Sequence, residues 1–162
     1  MKLESLRDLL IEQLEDLYDA EHQITKALPK MAEAASEPKL KAAFKKHLKE
    51  TEGQIERLDQ VFEALGQKAK RKTCKAAKGL IAEGDETIKE DAEPAVRDAA
   101  LIAAAQRVEH YEMAGYGTVC AYAKQLKETA VLKLLKATFA EEKATDEALS
   151  ELAESTINLQ AV

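Results

Sequence analysis

Four stretches of this chain repeat buried-type residues every three or four positions, each for six or more repeats. That spacing is the period of one helix face, and four long faces of this kind confine the chain to packed helices. The first helix is expected from about Leu3 to Ala35, with the stripe Leu6, Leu10, Leu14, Leu17, Glu21, Ile24, Leu28 and Met31. Pro29 falls inside it and predicts a kink. The second, from about Glu37 to Leu65, carries Leu40, Phe44, Leu48, Thr51, Ile55, Leu58, Phe62 and Leu65. Ser36 as N-cap and Pro38 in the first turn separate the two, and Gly66 closes the second. A link that short makes them antiparallel neighbours.

The third helix starts at Pro94 and carries Leu101, Ala105, Val108, Glu112, Tyr116 and Val119. The fourth, from about Ala130 to Asn158, carries Leu132, Leu135, Phe139, Glu142, Asp146, Leu149 and Ala153. Between second and third, residues 67–94 form a crossover with a shorter helix from Lys75 to Asp91. The fold class is therefore all-α: a four-helix bundle with a long crossover that contains a short extra helix. At 162 residues the chain suits one domain, 1–162, with no Trp and few glycines or prolines. A net charge of −6 argues against general nucleic-acid binding, and the basic run from Lys68 to Lys78 reads as a solvated loop. No run approaches the roughly 18 apolar residues of a membrane span, and no signal peptide is evident. Cys74 and Cys120 lack metal-type spacing, which predicts free thiols in a reducing cytoplasm.

Acids interrupt these stripes. Glu112 occupies an apolar position of the third helix, and Glu109 lies one turn earlier on the same surface. Glu21 interrupts the first stripe, Glu142 and Asp146 the fourth, and Glu50 flanks the second beside His47 and Gln54. Burying carboxylates side by side is costly unless a cation lies between them. Acids from four helices at one level are the arrangement bundles use for two-metal centres. Hard oxygen donors with few imidazoles suit iron or manganese better than zinc. The candidate ligands are Glu21, Glu50, Glu109, Glu112, Glu142 and Asp146, with Gln54 as an extra oxygen donor. His47 and His110 are read as supporting donors or partly exposed residues. Tyr18, Tyr111 and Tyr116 are read as core-edge residues with hydroxyl partners. The competing reading places all the acids on solvent-facing surfaces, since 33% of the chain is charged.

The segments LEDLYDAEHQITKALPKMA, HLKETEGQIERLDQVFE, VRDAALIAAAQRVEHYEMAGYGT and EEKATDEAL resemble the YciE/YciF type of ferritin-like proteins over nearly the whole chain. That resemblance implies a ferritin-like bundle, a homodimer, a di-iron or di-manganese centre and an association with bacterial stress. The EHYE quartet at Glu109–Glu112 is similar to the third-helix motif of rubrerythrins, which implies that both glutamates ligate. Glu21, Glu50 and Glu142 are similar to the ligands of the other three helices. The chain departs from the rubrerythrin pattern twice. Glu50 is followed by Gly53 and Gln54 rather than by a histidine three residues on, and the fourth helix offers Asp146 where a histidine is expected. These departures predict a nearly all-oxygen centre, with Asp146 adding negative charge that favours the oxidised metal.

Three functions compete at this stage. One is a redox protein whose two-metal centre oxidises Fe(II) or consumes peroxide. Another is a non-enzymatic metal-binding stress protein, and the last a metal-free helical interaction module. A homodimer is expected partly because Leu9, Ile11, Ile102 and Leu126 fall outside the narrowest core seam.

Overall fold

The structure is a computed structural model that describes residues 3–162. Among the described residues there is no strand. The helices are α1 (Leu6–Ala34), α2 (Pro38–Ala64), α3 (Lys75–Lys89), α4 (Pro94–Gln125) and α5 (Thr129–Leu152). A π-helical turn, Ala153–Ile157, and a last short helix, α6 (Asn158–Gln160), follow α5. Helix α1 packs on α2, α4 on α5, and the two pairs meet through α1–α4 and α2–α5. The crossover helix α3 lies against α1 and α4. Among the described residues no helix is long and apolar enough to cross a membrane.

The helix boundaries have local causes. Ser5 caps α1 by accepting the Asp8 amide at 3.1 Å, and its hydroxyl donates to the Asp8 carboxylate at 2.7 Å. This reciprocal exchange satisfies a donor that the helix itself leaves open. Helix α1 then runs unbroken through Pro29, where the sequence predicts a kink. The N-cap of α2 is Glu37 and not Ser36. The reason is Asp98 of α4, which is buried and accepts the backbone amides of Ser36 at 2.8 Å and Glu37 at 2.7 Å. One carboxylate therefore ties the α1–α2 turn to the other helical pair. Gly66 ends α2 at φ +66°, with the Gln67 amide donating back to the Phe62 carbonyl at 2.8 Å.

The basic crossover is less free than its composition suggests. Arg71 donates to Asp19 at 2.9 Å, Lys72 pairs with Glu12, and the Lys72 amide donates to the Glu15 carbonyl at 3.1 Å. Asp19 is buried and also accepts the Cys74 amide at 2.8 Å, so α1 holds the start of α3 in place.

Two of the four stripes shift by one residue at two positions each: His47 and Gln54 are buried in place of Leu48 and Ile55, and Val131 and Thr138 in place of Leu132 and Phe139. In α2 the buried line runs Phe44, His47, Thr51, Gln54, Leu58, with Leu48 only half-buried. In α5 it runs Val131, Leu135, Thr138, Glu142, Leu149, with Leu132 and Phe139 half-buried. The π turn corrects the phase after Leu149. Eight residues on, an ideal helix would carry Ile157 about 80° round its axis, whereas the wider turn leaves Ile157 buried with Leu149. Ile11 and Ile102 are buried within the chain itself, which removes them from the argument for a dimer.

Candidate metal centre

Two large hydrophobic clusters fill the bundle, and a small third one of Ala20, Cys74 and Ala77 joins α1 to the start of α3. One of the large clusters contains Ile24, Leu28, Phe44, Leu101, Ala105 and Leu149. The other contains Leu14, Leu17, Leu58, Tyr116, Val119 and Leu135. On every long helix the residues between the clusters are polar and buried: Glu21 on α1, His47, Thr51 and Gln54 on α2, Glu109 and Glu112 on α4, Thr138 and Glu142 on α5. A polar layer thus divides an otherwise dry core. Burial on this scale demands partners, because an unpaired carboxylate in an apolar interior costs several kcal/mol.

The protein supplies few of them. The side-chain ligand atoms of His47, Glu109, Glu112 and Glu142 all lie within 4.8 Å of one another. Yet Glu21 Oε2, Glu109 Oε2, and both oxygens of Glu112 and of Glu142 have no hydrogen-bond partner. His47 Nε2 stands 3.1 Å from Glu109 Oε1, at an approach that makes no hydrogen bond, and neither of its ring nitrogens has a partner. Gln54 donates through Nε2 to Glu141 at 3.2 Å and leaves its own Oε1 unpartnered. Among the described residues, the one other buried side-chain atom without a partner, outside this layer and its edge at Glu50, is Arg97 Nε. Orphaned atoms concentrated at one place, nearly all of them oxygen donors, fit a hard divalent cation.

The titration behaviour has the same origin. Burial pushes the Glu142 carboxyl up to about 11, and the charges of Glu21 and Glu109 push it in the same direction. Burial also raises Glu112 well above the usual carboxylate range, with Glu21, Glu142 and Glu109 adding to it. For Glu21 burial is again the largest cause, and its value rises to about 7. The Tyr116 hydroxyl, which donates to Glu21, opposes that rise. Burial alone would lower His47, but Glu109, Glu21 and Glu50 outweigh it and the imidazole is raised. Without a cation, protons must supply the positive charge that this layer lacks.

The residues singled out from the sequence fall into three positions. Glu21, Gln54, Glu109, Glu112 and Glu142 lie in the layer. Glu50 stands at its edge: Oε1 pairs with Lys46 at 2.6 Å, while Oε2 is buried and unpartnered. A cavity of about 50 Å³ beside it is shared with Lys46, His47 and Glu109. Asp146 is not brought together with the others. Its Oδ1 accepts from Gln106 at 3.0 Å and faces the exposed His110 at 3.4 Å. Tyr116 is fully buried, not at the core edge, while Tyr18 and Tyr111 donate to Asp59 and Asp16.

His47, expected only as a supporting donor, lies in the group of four residues that could hold a metal ion. It precedes Glu50 by three residues, so α2 does offer an imidazole one turn from a carboxylate, in the order opposite to the rubrerythrin pattern. An outer brace that the stripes do not reveal comes from Arg57, which donates to Glu141 at 2.8 Å and to Thr138 at 2.7 Å. That brace fixes Glu141 and, through it, the Gln54 amide. Gly115 has a related packing role. A Cβ there would lie 2.7 Å from Leu17 Cδ2, so its absence lets α1 and α4 approach closely one turn from Glu112.

Comparison with known proteins agrees with this architecture. The family described as "Domain of unknown function (DUF892)" matches residues 5–162. The chain is 51% identical to protein YciF of Escherichia coli (strain K12) over 162 residues, covering 99% of this chain and 98% of that protein. The crystal structure of the E. coli stress protein YciF superimposes with a TM-score of 0.93 at 52% identity, over 96% of this chain and 99% of that one. YcfI from Rhodopseudomonas palustris gives a TM-score of 0.90 at 49% identity, over 92% and 95% of the two chains. A ferritin-like, diiron-carboxylate protein from Bacillus anthracis str. Ames gives 0.71 at 18% identity, over 93% and 99%. At that identity the likeness speaks for the fold, which is ferritin-like.

Proposed function

The chain belongs to the DUF892 family, and from that premise and the buried polar layer we propose that it is a carboxylate-rich metal-binding protein with a stress-associated role. The observation that carries this reading is the set of unpartnered oxygens on Glu21, Glu109, Glu112 and Glu142, enclosed between two hydrophobic clusters. The proposed ligands are those four residues with His47 and Glu50, and Gln54 as an additional oxygen donor. This set differs from the purely sequence-based one by gaining His47 and leaving out Asp146, which Gln106 already engages. Such donors suit two divalent ions of iron or manganese. Bound iron would supply one-electron redox chemistry toward oxygen or peroxide. The chain's own residues would hold the ions, exclude water through the flanking apolar clusters, and keep the Glu21 carboxylate oriented through the Tyr116 hydroxyl.

The reading treats residues 1–162 as one ferritin-like domain, cytoplasmic and assembled as a homodimer. The unpaired Cys74 and Cys120 support a reducing compartment. The half-buried Leu9 and Leu126 and the exposed Leu159 support an apolar contact between copies. Light scattering at micromolar concentration should return twice the chain mass; a stable monomer removes the dimer from the account. Calorimetric titration of chelator-treated protein with Mn(II) tests the ligand assignment, with heat of binding expected for the wild type and lost in Glu109→Gln/Glu142→Gln. Fe(II) oxidation under air or peroxide then separates a redox role from metal binding that only holds the four helices together.

A further inference from the structure

A cavity of about 30 Å³, partly open to the surface, lies between α1, α3 and α4. Its walls are mostly hydrocarbon, from Leu28, Ile81, Ile88, Ala105 and Val108 together with Gly84, and it reaches His47 and Glu109 at the edge of the polar layer. Gly84 is buried in the middle of α3, yet a Cβ placed on it would meet nothing within 4 Å. Glycine inside a helix costs about 1 kcal/mol relative to alanine. At Gly115 close packing explains the glycine; at Gly84 no neighbour does, and what the missing side chain leaves is space. On the surface beside this space, Lys30 donates to both Asp85 oxygens at 3.1 and 3.2 Å, fastening α3 to α1, and Asp85 itself lines the cavity.

We propose that the cavity beneath α3 is a binding site for a neutral apolar molecule of diatomic size, dioxygen, and delivers it to the His47–Glu109 edge of the centre. Size and wall chemistry select the occupant. A water in such a site needs two to four polar partners, and most of this lining offers none. The volume is about a fifth of the ~150 Å³ that admits benzene, so an aromatic ring does not fit within it. The purpose of the site rests on the metal-binding reading, but its existence can be tested without metal.

The probe is xenon, applied under pressure to crystals of the chelator-treated chain. The wild type should show one xenon atom between α1, α3 and α4. Gly84→Leu should abolish it, because the new side chain enters the vacant space, and Gly84→Ala offers a milder obstruction should the larger side chain disturb folding. Gly79→Ala, on the exposed face of the same helix, should leave the xenon in place. An ordered water in the wild-type cavity, or xenon retained at full occupancy in Gly84→Leu, would overturn the proposal. Xenon present in a chain that takes up no Mn(II) would overturn the metal-binding reading and the delivery role with it. Xenon absent from a chain that does bind Mn(II) would overturn the cavity site alone.

Discussion

Replacing Glu142 by Gln should stabilise the metal-free protein and lose most of that advantage once metal is added. Glu142 is fully buried on α5, and neither of its oxygens has a partner. Burial raises its carboxyl from an ordinary 4.5 to about 11. A group raised in this way contributes undiminished stability below its unfolded value, and that contribution falls as pH climbs toward the folded value. At pH 7 the folded carboxyl must keep a proton that the unfolded chain releases. Over the interval from 4.5 to 7, at ~1.4 kcal/mol per pH unit, this costs about 3 kcal/mol. Glutamine has nearly the same shape and no proton to retain, so Glu142→Gln avoids the cost. At roughly 2–4 °C per kcal/mol for a chain of this length, the variant should melt about 6–12 °C higher in chelator at pH 7. The gap should close near pH 4.5 and widen toward pH 9. A metal at a hundred times its Kd restores about 3 kcal/mol to the wild type, and less to a variant short of one ligand, so the gap should narrow or close in Mn(II). Differential scanning calorimetry at three pH values, with chelator and with Mn(II), reads all of this. A variant that melts below wild type in chelator at pH 7, or a difference that does not grow with pH, would refute the reasoning.

Three further outcomes are expected. His47→Gln should weaken Mn(II) binding by about tenfold or more by calorimetric titration, equivalent to ~1.4 kcal/mol, whereas His110→Gln should leave it unchanged. Asp98→Ala orphans the amides of Ser36 and Glu37 and frees the α1–α2 turn from α4, which should cost about 2 kcal/mol in urea unfolding. Lys127 links α4 to α5 at φ 59°, a left-handed conformation that a side chain resists, so Lys127→Gly should stabilise the chain by up to about 1 kcal/mol in the same assay.

The helices were legible in the sequence because each must cover a long apolar face, and only a period near 3.6 can do so. Glu21, Glu109, Glu112 and Glu142 were legible for the complementary reason: an acid on or beside such a face is costly to bury without a partner. The second helix was harder. Its apolar residues Leu48 and Ile55 each lie one residue from a buried polar one, His47 and Gln54, so the expected stripe shares only Thr51 with the buried face at this level. The helix gives its best-buried face to polar side chains at this level, so hydrophobicity misplaces that face. The fourth helix misleads similarly. Glu142 and Leu149 are buried, and both Thr145 and Asp146 lie between them within one turn; Asp146 turns toward Gln106 and His110. Nothing local in the sequence reveals Asp98 as a clamp on a distant turn, or the void beside Gly84, since both depend on how the helical pairs and the crossover pack.

The most direct test of the central claim is the metal content of the protein purified without chelator, measured by elemental mass spectrometry beside the Glu109→Gln/Glu142→Gln variant. The account predicts about two iron or manganese ions per wild-type chain and a sharp fall in the variant. A wild-type chain that carries no metal, and takes up none on dialysis against Mn(II) or anaerobic Fe(II), would contradict it. So would a variant that keeps the full wild-type content.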